Sequence, residues 1–564
     1  MPKRWAIPIF FFALAIFTSF FLFPLFSTVR GGFVDVDGRF TAVYLMEALR
    51  NQLCRQSFFN SLALASLTTL SALAMALPLA FFSCRYDFPL KKFFSAMVLV
   101  PMILPPFVGA IGIMKIFGSH GMLNAIIFKL GHLSHFPTID WLGRHKFGGI
   151  VFFQALNLYP ILFLNISAAL ANVDPAMEEA AANMGCIGLK RFRLITAPLI
   201  RPGLFAGLTI VFIWSFTELG VPLIFNYDRV LPVQVYGMLK ELGSNPFPYA
   251  LATVVLLSSI SFYFIGKKIL GRDGAATVAK ASHVSSFRSI SKKKKALCVA
   301  LFGAVIGCSM LPHLAVVLYS FAGDWFGTIL PSSWTLKNYG AALGHPLAVS
   351  AIRNSLTYAG CATIAAILLG TATALVTARS RIAGRGLLDA LAMMPLAVPG
   401  IVIAFGYLVI SQRGRFFAFL NPIANPTALL IAAYCIRKVP FMVRSAAAGL
   451  QQTSATYEEA AACLGSPPVK TYVTITLPLI FANILGGGLM VFSQTMMEVS
   501  DSMIIAQKQQ FYPITKAIYE LINLIGNGPY VACALGVWSM ALLATALFTM
   551  AHLLGKNMGA LFRA

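Results

Sequence analysis

Three carboxylates stand in this chain where carboxylates are expensive. Glu218 lies about 15 residues into a long apolar run, Glu498 occupies the matching place in another run 280 positions later, and Asp501 follows one helical turn on. Ionisable groups at membrane depth face a polar cavity or a partner, so two readings stay open. Symmetry-related acids beside a central axis would give a cationic or metal-bearing solute a low-energy step; alternatively each caps a neighbouring helix or pairs within its own half. Arg437 and Lys438, near Pro440 and followed by Arg444, sit in a third apolar run. Their long stems are expected to let the charges snorkel to an interface, with contact to an anion as the alternative. The matching first-half residues, Asn157 and Leu158, with Asn165, carry no charge. His132 and His135 belong to a loop at 118–146, expected to be irregular and without Cys or acid ligands nearby, so no metal site is assigned.

A second acidic feature is also duplicated. Glu178-Glu179-Ala180-Ala181-Ala182 continues through Gly185, Phe192, Ile195 and Pro198, and Glu458-Glu459-Ala460-Ala461-Ala462 continues through Gly465, Tyr472, Ile475 and Pro478 at the same spacing. Asp174 and Pro175 read as a helix cap and first-turn proline, the Glu/Ala run as helix, and Gly185 as a left-handed stop. Basic and apolar residues at 189–195 follow, until Pro198 and Pro202 bend the chain into the next span and hold the short helix crosswise. Small alanines allow close approach of another protein's surface, and paired glutamates offer charge to its Arg, Lys or helix amino terminus. The predicted object is a docking knob, present twice. In the second copy Ser454-Ala455 stands in place of Asp174-Pro175, and Pro467-Pro468 follows the glycine, so the two knobs should differ in strength.

Chemistry on nucleotides is not expected of this chain. Its only Lys followed by Ser or Thr is Lys470-Thr471, preceded by Pro468-Val469 and not by a glycine-rich phosphate loop. Neither a nucleophile with its base, nor a HExxH, nor a dinucleotide loop is apparent, so no catalytic residue is assigned and the chain does not read as an enzyme.

The elements that must position these residues are membrane spans. Of 564 residues, 58% are hydrophobic and 11% charged, far from the quarter or so of charged residues in soluble domains. Apolar stretches of about 20 residues, each able to cross ~30 Å of hydrocarbon, recur along the chain. Twelve spans are predicted, near 6–29, 58–83, 93–117, 147–172, 203–226, 248–266, 296–322, 354–378, 387–411, 427–450, 482–507 and 531–555. The net charge of +24 does not indicate nucleic acid, because the basic residues cluster in short segments between spans. Arg85, Lys91, Lys92, Lys190, Arg191, Arg193, Arg201, Arg379, Arg381 and Arg385 then fall on one side, the cytoplasm, with both termini. Residues 267–295 hold nine Lys or Arg against Asp273 and read as a cytoplasmic tether touching anionic headgroups. That tether divides a first membrane half, 1–266, from a second, 296–564. The 9 cysteines form no CxxC pair and read as small buried hydrophobes.

The halves are copies. Asn60-Ser61-Leu62, Pro101, Pro105 and Gly112 match Asn354-Ser355-Leu356, Pro395, Pro399 and Gly406, and each copy of the acidic motif follows a span running inward. This is a parallel duplication about an axis along the membrane normal. Glu-Ala-Ala, three residues, Gly, then an aromatic, Ile and Pro resembles the cytoplasmic loop of binding-protein-dependent ABC importer permeases, and two copies at one spacing make the likeness specific. The resemblance covers nearly the whole chain. It implies an all-α type I importer fold of about twelve transmembrane helices in two six-helix halves. It further implies that Glu178, Glu179, Ala180 and Gly185, with Glu458, Glu459, Ala460 and Gly465, seat in clefts of two cytoplasmic ATP-binding subunits, which use ATP and Mg while this chain binds no cofactor. An extracytoplasmic binding protein would deliver solute across a bacterial plasma (inner) membrane by alternating access. The fused halves, with Phe216-Thr217-Glu218-Leu219-Gly220-Val221-Pro222, look most like the ferric-iron permease group. Import of thiamine, polyamine or aminoethylphosphonate, or ion-gradient-driven transport, are the alternatives.

Overall fold

A backbone in hydrocarbon has no water to bond with, so long apolar segments close their hydrogen bonds on themselves. The computed structural model accordingly is built of helices, and it describes residues 3–554 apart from 36, 104, 144–145, 242–244, 271–289, 413 and 525. Most of the basic tether lies outside the described residues. Its ends are helical, with Lys267 and Lys268 in the last turn of one helix and Lys292 to Lys295 opening the next.

The principal helices are α1 (Lys3–Gly32), α2 (Gln52–Arg85), α3 (Pro106–Phe117), α4 (Phe147–Ala171), α5 (Pro175–Asn183), α6 (Ala197–Phe216), α7 (Phe247–Leu270) and α8 (Lys292–Ser320). They continue with α9 (Pro346–Arg379), α10 (Gly400–Ile410), α11 (Thr427–Gln452), α12 (Thr456–Cys463), α13 (Leu477–Met496), α14 (Ile514–Ile522) and α15 (Gly528–Leu554). One small antiparallel pair, Ala322–Asp324 with Ser333–Trp334, is the sheet among the described residues. The chain is an all-α polytopic membrane protein.

Among the described residues ten helices are long and apolar enough to cross a membrane, or eleven if the pair Arg385–Leu396 and Gly400–Ile410, bent by 103°, counts as one span. The expected twelfth differs for a chemical reason: α11 is 26 residues long but carries Arg437, Lys438 and Arg444. The span expected at 93–117 is also remodelled. Pro101 and Pro105 interrupt it, leaving helix Lys91–Met97, a tight turn, and α3 starting at Pro106. Beyond α3, part of the supposedly irregular loop is a helix, Met122–Leu130, anchored by buried Asn124. Its amide donates to the carbonyls of Ser119 (2.9 Å) and Ile139 (2.7 Å) and accepts from Trp141 Nε1 (2.9 Å).

Two compact units result, and they cut across the sequence halves. One holds Met1–Arg55, Leu231–Leu257 and Leu336–Ala564; the other holds Gln56–Val230 and Ser258–Thr335. Each unit thus contains the opening helix of the other repeat. In the first unit α1 packs on α10 at Gly406, where a Cβ would lie 2.8 Å from the Pro24 carbonyl oxygen. Pro24 has no N–H to give Phe20, and the freed Phe20 carbonyl accepts the Tyr407 hydroxyl at 2.6 Å. The second unit repeats the device, with Gly112 of α3 against the Pro312 carbonyl of α8. In the same unit Ala76, Leu79, Tyr159, Leu162, Ile166 and Phe302 belong to one continuous buried core.

Replacing Gly112 by Ala should therefore drive a methyl into backbone and lower stability by about 1–3 kcal/mol. Gly307 of α8 meets nothing within 4 Å, so Gly307→Ala should be neutral or gain up to about 1 kcal/mol. Unfolding midpoints of the two purified variants in detergent check the contrast.

Candidate functional site

The short acidic helices are built nearly alike. Asp174 Oδ1 accepts the Ala176 N–H at 2.9 Å, and α5 starts at Pro175. The helix stops at Gly185, φ +78°, with Gly185 N–H on Ala182 O (2.9 Å) and Cys186 N–H on Ala181 O (2.8 Å). That crossed pair is a Schellman closure, which needs the left-handed residue that glycine supplies without strain. In α12 the same bonds run from Gly465, φ +77°, to Ala462 (3.0 Å) and from Ser466 to Ala461 (2.9 Å). The opening differs, as Ser454-Ala455 implied: Ser454 Oγ reaches the Thr456 N–H only at 3.3 Å.

The two glutamates of each motif part company. Glu178 is buried and turned inward, its Oε1 accepting from Arg85 Nη2 at 3.0 Å and from the Thr196 hydroxyl at 2.9 Å. Glu458 does the same with Arg379 Nε at 3.1 Å and Thr476 at 3.2 Å, and Arg379 also donates to the Thr453 carbonyl at 2.8 Å. Arg85 and Arg379 end the 34-residue helices α2 and α9. Thr196 and Thr476 close matching π-helical turns, Phe192–Thr196 and Tyr472–Thr476, that lead into α6 and α13. Each short helix is thereby fastened to two long ones through one carboxylate oxygen, by bonds worth about 1.5–3 kcal/mol apiece. Glu179 and Glu459, with Ala180, Ala460, Gly185 and Gly465, face outward.

Beside them protrude apolar side chains that the sequence reading passed over. Met184 is 87% exposed and Leu464, its counterpart, 88%; Ile187 and Leu189 extend the patch in one copy, Tyr457 and Val469 in the other. The signal was available in the repeat, since both copies place a large apolar residue immediately before the glycine, after a run of small alanines. Arg85 with Arg379 and Thr196 with Thr476 are likewise matched pairs whose partnership with the first glutamate went unread.

The membrane-depth acids fall in different units and are used differently. Glu218 Oε1 accepts the N–H groups of Gly220 (3.0 Å) and Val221 (3.3 Å), capping the short helix Gly220–Ile224. Glu498 instead pairs with α11, through Arg437 Nη1 at 2.5 Å and Lys438 Nζ at 2.8 Å, while fully buried Asp501 takes Arg437 Nη1 at 3.1 Å. Arg437 and Lys438 do not snorkel. They lie against the break between α13 and helix Ser500–Ile505, and the guanidinium occupies the space a side chain at Gly400 would take. Thr515 and Ser502 hydroxyls bond the Glu498 carbonyl at 2.9 and 2.6 Å, Tyr434 meets Ser502 at 2.7 Å, and Lys516 Nζ reaches the Met503 carbonyl at 3.0 Å. Arg437 and Lys438 balance Glu498 and Asp501 through direct ion pairs, and Lys516 adds a third buried cation held by a carbonyl. At the position matching Tyr434 the first half has Gln154, whose Oε1 accepts the Ser215 hydroxyl at 2.5 Å in a neutral network.

Removing one member of a buried ion pair leaves an uncompensated charge, so Arg437→Met should cost about 3–5 kcal/mol. Glu218→Gln keeps an oxygen for the two N–H groups and should cost under about 1 kcal/mol. Thermal unfolding of both variants in detergent distinguishes them; equal losses would contradict the assigned roles.

Similarity to known proteins follows this architecture. The family of binding-protein-dependent transport system inner membrane components matches twice, over residues 72–273 and 363–552. A putative ferric transport system permease protein of Haemophilus influenzae is 27% identical over 85% of this chain and 75% of its own length. A ferric transport system permease protein of Actinobacillus pleuropneumoniae is 26% identical over 87% of this chain and 69% of its own. A probable molybdenum ABC transporter permease protein of Haloferax volcanii is 32% identical over 36% of this chain and 72% of its own. Matched in both repeats and over more than half of its length, the chain belongs to the binding-protein-dependent inner-membrane components, the permease subunits of ABC importers, with two copies of the domain in one polypeptide.

Proposed function

We propose that the chain is the translocation subunit of a ferric-iron importer in a bacterial plasma membrane, with both termini cytoplasmic and one ATP-binding subunit docked on each of α5 and α12. The observation that carries this reading is the division of labour inside each motif. One glutamate ties the short helix to the bundle, while the other glutamate, the flanking alanine and an exposed Met184 or Leu464 are left for a partner. An apolar knob ringed by charge suits a cleft in another protein.

When the ATP-binding subunits close around ATP and Mg, they pull α5 and α12. The Glu178–Arg85 and Glu458–Arg379 pairs pass that displacement to α2 and α9, and the Thr196 and Thr476 bonds pass it to α6 and α13. Access to solute handed over by an extracytoplasmic binding protein then alternates as the two halves rock. Ferric iron is favoured because the two relatives that span most of the chain bear that name. Glu498 and Asp501 already hold Arg437 and Lys438, so any service of theirs to a cation in transit requires those pairs to open. Selection is accordingly assigned to the binding protein.

Reversing Glu179 and Glu459 together to Lys should leave a folded chain that no longer co-purifies with its ATPase and loses uptake at least tenfold. Arg85→Met with Arg379→Met should keep the ATPase bound but uncouple ATP hydrolysis from uptake. Proton- or sodium-driven uptake that survives the double reversal would contradict an ABC mechanism. Accumulation of labelled Fe³⁺, outcompeted by neither thiamine, putrescine nor aminoethylphosphonate, checks the substrate.

A further inference from the structure

We propose that a cavity of about 320 Å³ between α1 and α10 is a binding site for one anionic phospholipid, its phosphate held between Arg30 and Arg415. The inference depends on membrane placement alone and not on the transported solute.

Location comes first. α11, 26 residues or about 39 Å long, runs directly into α12, so the segment 411–426 before α11 lies at the opposite end of the bundle from the docking helix. The cavity is there. It is lined by Ser27, Arg30 and Gly31 near the end of α1, by Val409 and Ile410 ending α10, by Gln412, Arg415 and Phe416 after it, and by Asn245 and Tyr249 at the start of α7. It therefore opens where hydrocarbon gives way to headgroups.

Chemistry then selects the occupant. Phe23, Phe26, Val409 and Ile410 give the lining an apolar part, and Phe26 and Phe416 continue it outward, 62% and 81% exposed. Behind these rings Phe417 packs 5.5 Å from Phe20 and 6.0 Å from Phe23, a rigid aromatic wall for an acyl chain. Two guanidiniums stand at the polar end, and among the described residues neither belongs to an ion pair. The acid in the lining, Asp35, accepts the Tyr44 hydroxyl at 2.5 Å, and the Asn245 amide is committed to Glu241 and the Phe247 N–H. The surplus is one positive charge carried by planar forks, which suit a phosphate diester. Aromatic rings beside cations at this depth match the amphiphilic order of a lipid, tail then phosphate. A small soluble anion would use the arginines and leave the rings without purpose.

The test uses the full chain, purified and delipidated in detergent. Added phosphatidylglycerol should raise the unfolding midpoint by several degrees, and native mass spectrometry should show one retained molecule; phosphatidylcholine and inorganic phosphate should do neither. Arg30→Gln with Arg415→Gln should cut phosphatidylglycerol retention at least tenfold, while Arg30→Lys with Arg415→Lys should keep part of it. Should the double Gln variant fail to fold, Arg415→Gln alone, on an exposed loop, carries the same expectation of weakened retention. Equal effects of the two lipids, reproduction of the shift by phosphate, or retention unchanged in the Gln variants would overturn the proposal.

Discussion

One carboxylate oxygen per repeat fastens a short helix to the long helices of this molecule. Glu178 and Glu458 each accept from an arginine that ends a long helix and from a threonine that closes a π-helical turn. Without that bond a helix of eight or nine residues would hang from the bundle by its backbone alone, far too short to be stable in isolation. With it, displacement of the short helix is displacement of two long ones. The π-helical turn belongs to the same device, because Thr196 and Thr476 stand on its final residue, just ahead of Pro198 and Pro478.

The rest of the architecture gives such a lever something stiff to act on. Each repeat lends its opening helix to the other's unit, and the joint is made where a glycine allows backbone contact with a proline carbonyl. Pairs of this kind leave no room for slack, since even a methyl would overlap the neighbouring chain. The duplicated halves nevertheless diverge at the membrane-depth break. In one, Glu218 caps its own short helix; in the other, Glu498 and Asp501 lock the break to α11 through Arg437 and Lys438. The two breaks are thus held by different chemistry, main-chain N–H groups on Glu218 in one and two cationic side chains on Glu498 in the other.

Much of this was legible beforehand, and the failures are physical. Spacing alone located both acidic helices, their glycine stops and a difference between the two openings, because caps and stops are local and depend on residue type. Hydropathy found the helices; ten or eleven spans among the described residues pass by length and composition, and α11 falls outside that number because it carries Arg437, Lys438 and Arg444, while Pro101 and Pro105 shorten another span without removing it. The acids that meet Arg437 sit 61 and 64 positions away, Glu498 in the break after α13 and Asp501 on the short helix that follows, a distance over which no periodicity speaks. The expectation that Arg437 and Lys438 would reach for an interface treated α11 as a lone helix in lipid; packing against the break before Ser500–Ile505 and the start of that helix supplies Glu498 and Asp501 instead. The exposed Met184 and Leu464 were hidden for the opposite reason, because an apolar residue on a short helix is ordinarily read as buried.

Cysteine cross-linking reads the central claim most directly. With single cysteines at 184 and 464 in an otherwise cysteine-free chain, and cysteines lining the cleft of the co-expressed ATPase, both positions should form disulfides to the ATP-binding subunit and remain closed to an impermeant maleimide in intact cells. Labelling of either position from outside, or failure of both to cross-link in a complex that transports, would contradict the account.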